Sequence, residues 1–348
     1  MPAALTEVTE LGTALGMLGA DPHAVLSHRP AELVDVPEAT FARLADAAGA
    51  HRRAYEAAFA NGRAFLEAPG GLRGRRPQLV EWRGPHRPPG DDVLPADLRV
   101  DHVYLVSCKY LSHILVNAGP ERLFDRLLAG EARGAGNWFA QVAPGPYAAF
   151  YRGARAMAAD ATLPEVPAAL TRADQHRLRA HLGARTLPDA LAERWAELCA
   201  AVADASAARW SAALTTPRAA LQLVWRLLRV GQATYFVLGS DATSAVALRV
   251  GSTWDWHRRF ALADFSVAPR PAGQPEVSWS ATVRDRAARQ ATEIRGHVEV
   301  RWSHGRFVGA PEAKVYLDTP FAALPGYEPL DAATATAPVV LQGRLFGL

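Results

Sequence analysis

Apolar residues recur at helical spacing along the first part of the chain. Between residues 37 and 68 their positions follow the helical repeat, which is typical of an amphipathic helix. Asn61-Gly62 predicts a break or kink within this stretch, because both residues favour turns. We therefore expect residues 1 to about 68 to be mainly helical. The apolar positions that set the spacing are Phe41, Leu44, Ala47, Ala48, Tyr55, Phe59 and Phe65.

The middle of the chain predicts a short β-type region followed by a long helical block. The block from about 120 to 230 predicts mostly helix. Its last helix begins with Thr216 as N-cap and Pro217 in the first helical position, and ends at Gly231. The β-type region predicts, in order, a strand at 78–83, a loop at 85–95, strand structure at 96–110 and a helix at 111–130.

After residue 233 the pattern changes to short β-branched or aromatic runs separated by turn residues, which predicts strands. The Pro-rich tail from 320 predicts irregular structure, with a last strand in 338–348. The fold class expected is α+β, with a mixed sheet flanked by helices in the N-terminal part, a helical middle and a β-rich C-terminal part. The matching division of the chain is 1–130, 131–232 and 233–348, and the boundary near 232 leaves open one core shared by the parts on either side of it.

Composition changes this picture little. A net charge of +3 and a pI near 9 permit an anionic partner without requiring one. The two cysteines, Cys108 and Cys199, are too few for a disulfide framework or a cysteine-based zinc site, and fit a reducing cytoplasm. The N-terminal residues have no basic n-region, and no uncharged apolar run is long enough to span a bilayer. We expect a cytoplasmic protein with no membrane partner, and no phosphate-binding loop indicates a nucleotide cofactor.

Lysine usage provides the strongest lead. The chain has two lysines, Lys109 and Lys314, beside 36 arginines. Lysine is a compact point charge whose pKa moves on burial, whereas arginine is a wide planar fork. Each lysine is therefore a candidate functional residue, with chance retention as the alternative.

Residues 96–110, "ADLRVDHVYLVSCKY", surround Lys109 and predict a hairpin, because one strand of that length would be unusually long. The turn lies near Asp101, whose side chain suits turns. A three-residue turn at 101–103 places Asp97 opposite Ser107, with Lys109 two residues further along the same face. A turn at 101–102 instead places Asp97 opposite Val106 and separates the three side chains.

In the first register, the series Pro95-Ala-Asp97, Ser107-Cys-Lys109 and the following helical segment resembles the PD-(D/E)xK nuclease superfamily. The signature of that superfamily is an Asp on one strand, often after Pro, then (D/E)-x-K on the next. The resemblance covers about residues 50–130, a little under a quarter of the chain. It implies a metal-dependent DNA endonuclease using Mg²⁺ or Mn²⁺, with Asp97 as metal ligand and Lys109 serving the attacking water, in restriction, another defence process or repair.

Ser107 departs from the superfamily because it stands where the second acid is expected. Mg²⁺ prefers oxygen ligands, so the missing carboxylate has to come from elsewhere. Glu81, on the preceding strand, and Glu56, on the upstream helix, are the candidates; Arg73, Arg75 and Arg76 on the intervening loop are candidate phosphate contacts. One alternative is an inactive nuclease-like module that binds nucleic acid or a partner protein. The other is structural: Asp97 caps a turn and Lys109 lies on an exposed edge.

Two further groups of residues compete with this site. Glu312-Ala-Lys314 follows Glu299 and His304 at a spacing suited to adjacent strands, so it is a second candidate site. Its alternative is a set of charged residues on one solvated sheet face. The segments "WDWHRRF" (254–260) and "VRWSHGRF" (300–307) mix aromatic and basic residues, which either stack bases and hold phosphates or form an aromatic core with arginines at the sheet edge. The oligomeric state is not indicated.

Overall fold

A computed structural model describes residues 3–84, 95–110, 114–126, 136–182, 187–240, 245–270 and 272–330. Its helices are α1 (Ala3–Leu18), α2 (Glu38–Ala42), α3 (Leu44–Ala50), α4 (Arg52–Glu67), α5 (Pro120–Phe124), α6 (Trp138–Val142), α7 (Pro144–Ala158), α8 (Arg172–Leu182), α9 (Ala192–Ala213), α10 (Pro217–Leu227) and α11 (Thr253–Arg259). Its strands are β1 (Leu33–Val34), β2 (Val80–Trp82), β3 (Leu98–Val100), β4 (Tyr104–Tyr110), β5 (Ile114–Ala118), β6 (Tyr235–Ser240), β7 (Ala245–Val250), β8 (Phe260–Pro269), β9 (Glu276–Asp285), β10 (Gln290–Arg301), β11 (Glu312–Leu317) and β12 (Tyr327–Pro329).

The α+β class is confirmed, and the chain forms two compact units that alternate along the sequence. The first unit comprises the described residues within 1–111, 233–251 and 327–348; the second comprises those within 112–232 and 252–326. Each unit contains one sheet and its own helices. None of the described helices combines the length and the apolar character that crossing a membrane would need.

The first unit contains a mixed seven-stranded sheet in the order β1-β2-β3-β4-β6-β7-β12. The pairs β1–β2 and β4–β6 are parallel, and the remaining neighbours are antiparallel. One face of the sheet, which includes Val80, Leu98, Val106 and Leu238, joins residues of the first four helices in a continuous apolar core. Burial of this face sets the strand register, because a one-residue slip would turn the apolar side chains away from the core.

Helices α1 and α4 approach each other closely at glycines. A Cβ on Gly16 would lie 2.1 Å from the Phe59 carbonyl oxygen, and one on Gly62 would lie 2.1 Å from that of Thr13. The predicted break at Asn61-Gly62 is wrong, since α4 runs through both residues. Because Gly62 has no side chain, α1 can pack directly against the backbone of α4. The Asn61 side-chain amide donates to the Gly239 carbonyl oxygen at 2.8 Å and to the Tyr110 hydroxyl at 3.2 Å.

The second unit contains an antiparallel five-stranded sheet in the order β5-β11-β10-β9-β8. Alternate residues of β9, including Val277, Trp279 and Ala281, are buried, and the long helix α9 packs against β8 and β9. Trp302 and Phe307 lie in an aromatic cluster with Phe139, Tyr147, Phe150 and Trp195. For the 300–307 segment, the core interpretation is therefore confirmed.

The predicted helix at 111–130 is largely wrong. Residues 114–118 form strand β5, which pairs with β11, and the short helix α5 is the only helix in the part of this segment that the structure describes. The predicted start of the helix at 217 is confirmed, because the Thr216 hydroxyl accepts a hydrogen bond from the Ala219 N–H at 3.1 Å. That helix ends at Leu227, before the predicted Gly231. The strand predicted within 338–348 lies outside the described residues.

Candidate functional site

Strands β3 and β4 form the hairpin with the three-residue turn 101–103. Leu98 pairs with Val106 and Val100 with Tyr104, so the register is the one that brings Asp97 next to Ser107. The Asp101 backbone adopts a positive φ of 48°, and its carboxylate accepts hydrogen bonds from the Gln78 and Leu79 N–H groups at 2.8 and 3.0 Å. These bonds attach the turn to the start of β2 and stabilise the hairpin.

The Asp97 carboxylate is buried at the end of the hairpin, with the side chain of Ser107 beside it. Oδ2 accepts a hydrogen bond from the Cys108 N–H at 2.7 Å and one from the Ser107 hydroxyl at 3.3 Å. Asp97 is 6 % exposed and Ser107 is inaccessible to solvent. The carboxylate therefore bonds to strand β4, and the acid and the hydroxyl meet, as the three-residue turn predicts.

Lys109 lies two residues beyond Ser107, on the same face of β4. The parallel ladder with β6 continues through this point, with Ser107 opposite Val237 and Lys109 opposite Gly239. The alternating residues Val106, Cys108 and Tyr110 point the other way, into the helical side of the unit, where Tyr110 bonds to helical side chains. A Cβ on Gly239 would lie 1.8 Å from the Lys109 carbonyl oxygen, so only glycine fits beside the lysine.

Glu81 is engaged by a neighbouring arginine. It pairs with Arg99 across the β2–β3 ladder, and the Arg99 guanidinium contacts both carboxylate oxygens. His102 Nδ1 lies 3.4 Å from the same carboxylate. The hydrogen bond from Arg99 lowers the pKa of Glu81, with its positive charge and that of His102 acting in the same direction. Arg99 was not among the residues predicted from the sequence, because its position opposite Glu81 is set by the pairing of β2 with β3.

Glu56 is not brought together with Asp97. It lies on α4, which packs on the sheet face that carries Val106, whereas Ser107 points to the opposite face. Its carboxylate is 43 % exposed and lies 3.9 Å from Arg52 Nε, one helical turn earlier.

The three candidate phosphate-binding arginines lie on an ordered turn after α4. Gly71, Leu72 and Gly74 donate backbone hydrogen bonds back to the end of that helix. Arg73 donates to the Pro69 carbonyl oxygen, Arg75 lies 3.5 Å from the Tyr104 hydroxyl and Arg76 forms an ion pair with Glu32 at 2.9 Å. The three arginines thus lie on a turn joined to α4 by backbone hydrogen bonds, and their side chains are exposed.

The second candidate site is a row of polar residues across the five-stranded sheet. Glu299 on β10 lies opposite Lys314 on β11, and Glu312 lies two residues along β11 on the same face. Lys314 Nζ is 3.6 Å from Glu312 Oε2, and Glu299 is 3.2 Å from both an Arg301 nitrogen and the Tyr316 hydroxyl. Both acids therefore have cationic neighbours on their own strand, which favours a charge-balanced sheet face. His304 is exposed in the turn after β10.

A divalent cation at the first site would have Asp97 as its ligand among the described residues. Mg²⁺ in proteins is commonly held by one or two carboxylates together with water and substrate phosphates, so the donor type fits. Within the described parts of the chain, however, no group of three or more His, Cys, Asp or Glu side chains is arranged to hold a metal ion. The donor type of Asp97 alone would therefore suit such a cation, with water and substrate supplying the remaining ligands.

Known proteins give no independent assignment. The chain matches no family model, no curated protein and no solved structure.

Proposed function

We propose that the chain is a metal-dependent DNA endonuclease of the PD-(D/E)xK type, acting in restriction, another defence process or repair. One observation carries the proposal: the three-residue hairpin turn aligns Asp97 with Ser107 and leaves Lys109 on the same strand face. The other register would have separated these side chains. The observed register therefore supports the proposal, because the superfamily resemblance depends on it.

Each residue of this site would have a distinct task. Asp97 would provide the carboxylate that binds Mg²⁺ or Mn²⁺, and the bound cation would activate water and offset charge on the phosphate. Lys109 would orient the attacking water or stabilise the developing anion with its compact ammonium group. Ser107 would hold the Asp97 carboxylate in position through its hydroxyl. The exposed Arg73 and Arg75 would contact the phosphate backbone near the turn of the hairpin.

Plasmid nicking with paired lysine variants tests the proposal. The wild type should nick supercoiled DNA with Mg²⁺ or Mn²⁺, and Lys109→Ala should abolish nicking without changing the circular dichroism spectrum or melting temperature. Lys109→Arg should also lose most activity, because the guanidinium is too wide for a point-charge role. Lys314→Ala is the matched control and should remain active. Full activity in Lys109→Ala would contradict the proposal, and loss in Lys314→Ala alone would move the site to the second sheet.

A second candidate function is an inactive nuclease-like module that only binds nucleic acid or a partner protein. Two observations favour this function. Ser107 stands where the superfamily has its second carboxylate, and the carboxylate of Glu81 is already hydrogen-bonded to Arg99. Titration calorimetry separates the two functions. Salt-sensitive DNA binding without affinity for Mg²⁺ or Mn²⁺ would support the binding module and contradict the nuclease.

A further inference from the structure

An exposed tryptophan stands on the short helix α11 of the second unit. The helix begins with a capping box, in which Ser252 and Asp255 exchange hydrogen bonds between side chains and backbone. It buries Trp256, whose indole N–H donates to the Pro325 carbonyl oxygen at 3.1 Å. Trp254 points outward and is 64 % exposed. The "WDWHRRF" segment thus divides into one core tryptophan and one tryptophan that is largely open to solvent.

The ring of Trp254 is covered on one side by an arginine. The guanidinium carbon of Arg258 lies 4.7 Å from the ring centroid, in the contact expected for residues four apart on a helix. This cation–π contact stabilises the ring in one position and brings a positive charge beside it. An aromatic ring held in this way has less conformational freedom to lose when a flat ligand stacks on it.

Further arginines meet this helix at the turn between β9 and β10. The Arg286 N–H donates to the Arg259 carbonyl oxygen at 2.8 Å, so the end of α11 touches the start of the turn. The turn spans 286–289, and Arg284, Arg286 and Arg289 are all exposed. We call the group formed by Trp254, Arg258, Arg284, Arg286 and Arg289 the Trp254 surface.

Nearby acids do not neutralise the Trp254 surface. Asp255 is occupied by the capping box. Asp285 accepts the Ala287 and Ala288 N–H groups and pairs with Arg259 at 2.9 Å. The four arginines of the surface make no ion pair with any residue that the structure describes. The Trp254 surface therefore combines one exposed aromatic ring, which has the Arg258 guanidinium over it, with three further exposed arginines that start from the adjoining strand end and turn.

We infer that the Trp254 surface binds single-stranded nucleic acid. Phosphates would contact the arginines, and an unpaired base would stack on Trp254; a duplex keeps its bases stacked and cannot offer one in this way. A membrane surface fits less well, because interfacial helices need a broad apolar face. In the described ranges the other exposed large apolar side chains are Val103 and Val166, and both are distant from Trp254 in the sequence. This inference does not rest on cleavage and holds whether or not the chain cuts DNA.

Fluorescence anisotropy tests it directly. Fluorescein-labelled oligo(dT) and oligo(rU), each about 20 nucleotides long, are titrated with the full chain in EDTA at low salt. A labelled duplex of the same length is titrated in parallel. We expect single strands to bind more tightly than the duplex. Trp254→Leu should weaken binding about tenfold, and Trp254→Phe should retain most of it, because base stacking needs a ring and not merely an apolar group. Arg218→Ala, which removes an exposed arginine elsewhere in this unit, should bind as the wild type.

Salt dependence gives a second readout. The double variant Arg286→Ala/Arg289→Ala should lower the slope of log affinity against log salt by about 0.7 for each lost phosphate contact on a single strand. Unchanged binding by both the leucine and the double-arginine variants would overturn the inference. The inference would also be overturned if the chain bound no oligonucleotide at low salt, or if it bound phosphatidylserine vesicles and no oligonucleotide. Since all binding is measured in EDTA, the result is independent of the nicking experiment with Lys109→Ala.

Discussion

Asp97 accepts a hydrogen bond from the backbone N–H of Cys108 at 2.7 Å through a carboxylate that is almost fully buried. This bond joins the residue just before β3 to strand β4, which carries Lys109. The same oxygen also accepts the Ser107 hydroxyl at the longer distance of 3.3 Å. The acid that would bind a metal in the proposed nuclease thus also supports the strand on which the lysine stands.

Removal of this carboxylate should destabilise the fold. Asp97→Ala leaves the Cys108 N–H without its acceptor, which should lower the free energy of unfolding by about 1–3 kcal/mol. Ser107→Ala removes only the longer bond and should cost about 0.5–1.5 kcal/mol. Urea unfolding followed by circular dichroism measures both. Equal stability of Asp97→Ala and wild type would show that the bond contributes nothing to the strand.

The conservative variant separates the structural role from the proposed catalytic one. Asp97→Asn keeps an oxygen that can accept the Cys108 N–H but lacks the charge that a divalent cation needs. If Asp97→Asn has nearly the wild-type free energy of unfolding but no longer nicks DNA, the charge of Asp97 is needed for catalysis.

The hairpin itself was predictable, but its register was not decided by sequence. Asp101 indicated the turn, yet two turn lengths remained open, and they placed Asp97 differently. The register follows the burial of Leu98, Val100 and Val106 in one core, and within the turn Asp101 and His102 both take a positive φ, of 48° and 61°. Aspartate and histidine tolerate that conformation better than most residues, but tolerance does not fix loop length.

Two errors have a common physical origin in contacts between distant parts of the chain. The apolar run at 114–118 reads equally well as helix or strand, and it becomes β5 by pairing with β11, about two hundred residues later. Asn61-Gly62 reads locally as a break, and it stays helical because each residue meets a partner outside the helix. The ion-pair partner of Glu81 could not be predicted for the same reason, because Arg99 is brought opposite it by the pairing of β2 with β3.

The Glu81–Arg99 pair should make stability depend on acidity. The pKa of Glu81 is lowered in the folded protein by the hydrogen bond from Arg99. A carboxyl with a lowered folded pKa stabilises the fold above its unfolded pKa, about 4.3, and this stabilisation is lost as pH falls through the folded pKa. Glu81→Gln should therefore be less stable than the wild type at pH 7, by about 1–3 kcal/mol. The difference should narrow below about pH 4.

The exposed Arg52–Glu56 pair provides the matched control. Its partners are mostly solvated and 3.9 Å apart, so Glu56→Gln should change stability by less than about 0.5 kcal/mol at neutral pH. Urea unfolding of both variants and the wild type at pH 3.5, 5 and 7 gives the comparison. A gap between Glu81→Gln and wild type that stays constant across this range would contradict the role assigned to Arg99.

The glycines between α1 and α4 should tolerate no side chain. A methyl group at Gly62 would lie 2.1 Å from the Thr13 carbonyl oxygen, so Gly62→Ala has to separate the helices and should cost about 1–3 kcal/mol or more. Gly49, in α3, has no atom within 4 Å of an added Cβ. Gly49→Ala should therefore stabilise the protein by about 0.5–1 kcal/mol through helix propensity. Thermal melts that change in the same direction for both variants would contradict this packing.

Thiol reactivity should report the state of β4. Burial raises the pKa of Cys108 well above its ordinary value, with the Asp97 charge adding to the effect, and burial raises that of Cys199 to about 12. Both thiols should react slowly with a disulfide reagent at pH 8, and two per chain should react in urea. Asp97→Ala should accelerate Cys108 selectively, because it removes both the bond that holds the strand and the charge that disfavours the thiolate. The Cys199→Ser background isolates the Cys108 signal, and equal rates with and without Asp97 would show that this carboxylate neither supports the strand nor influences the thiol.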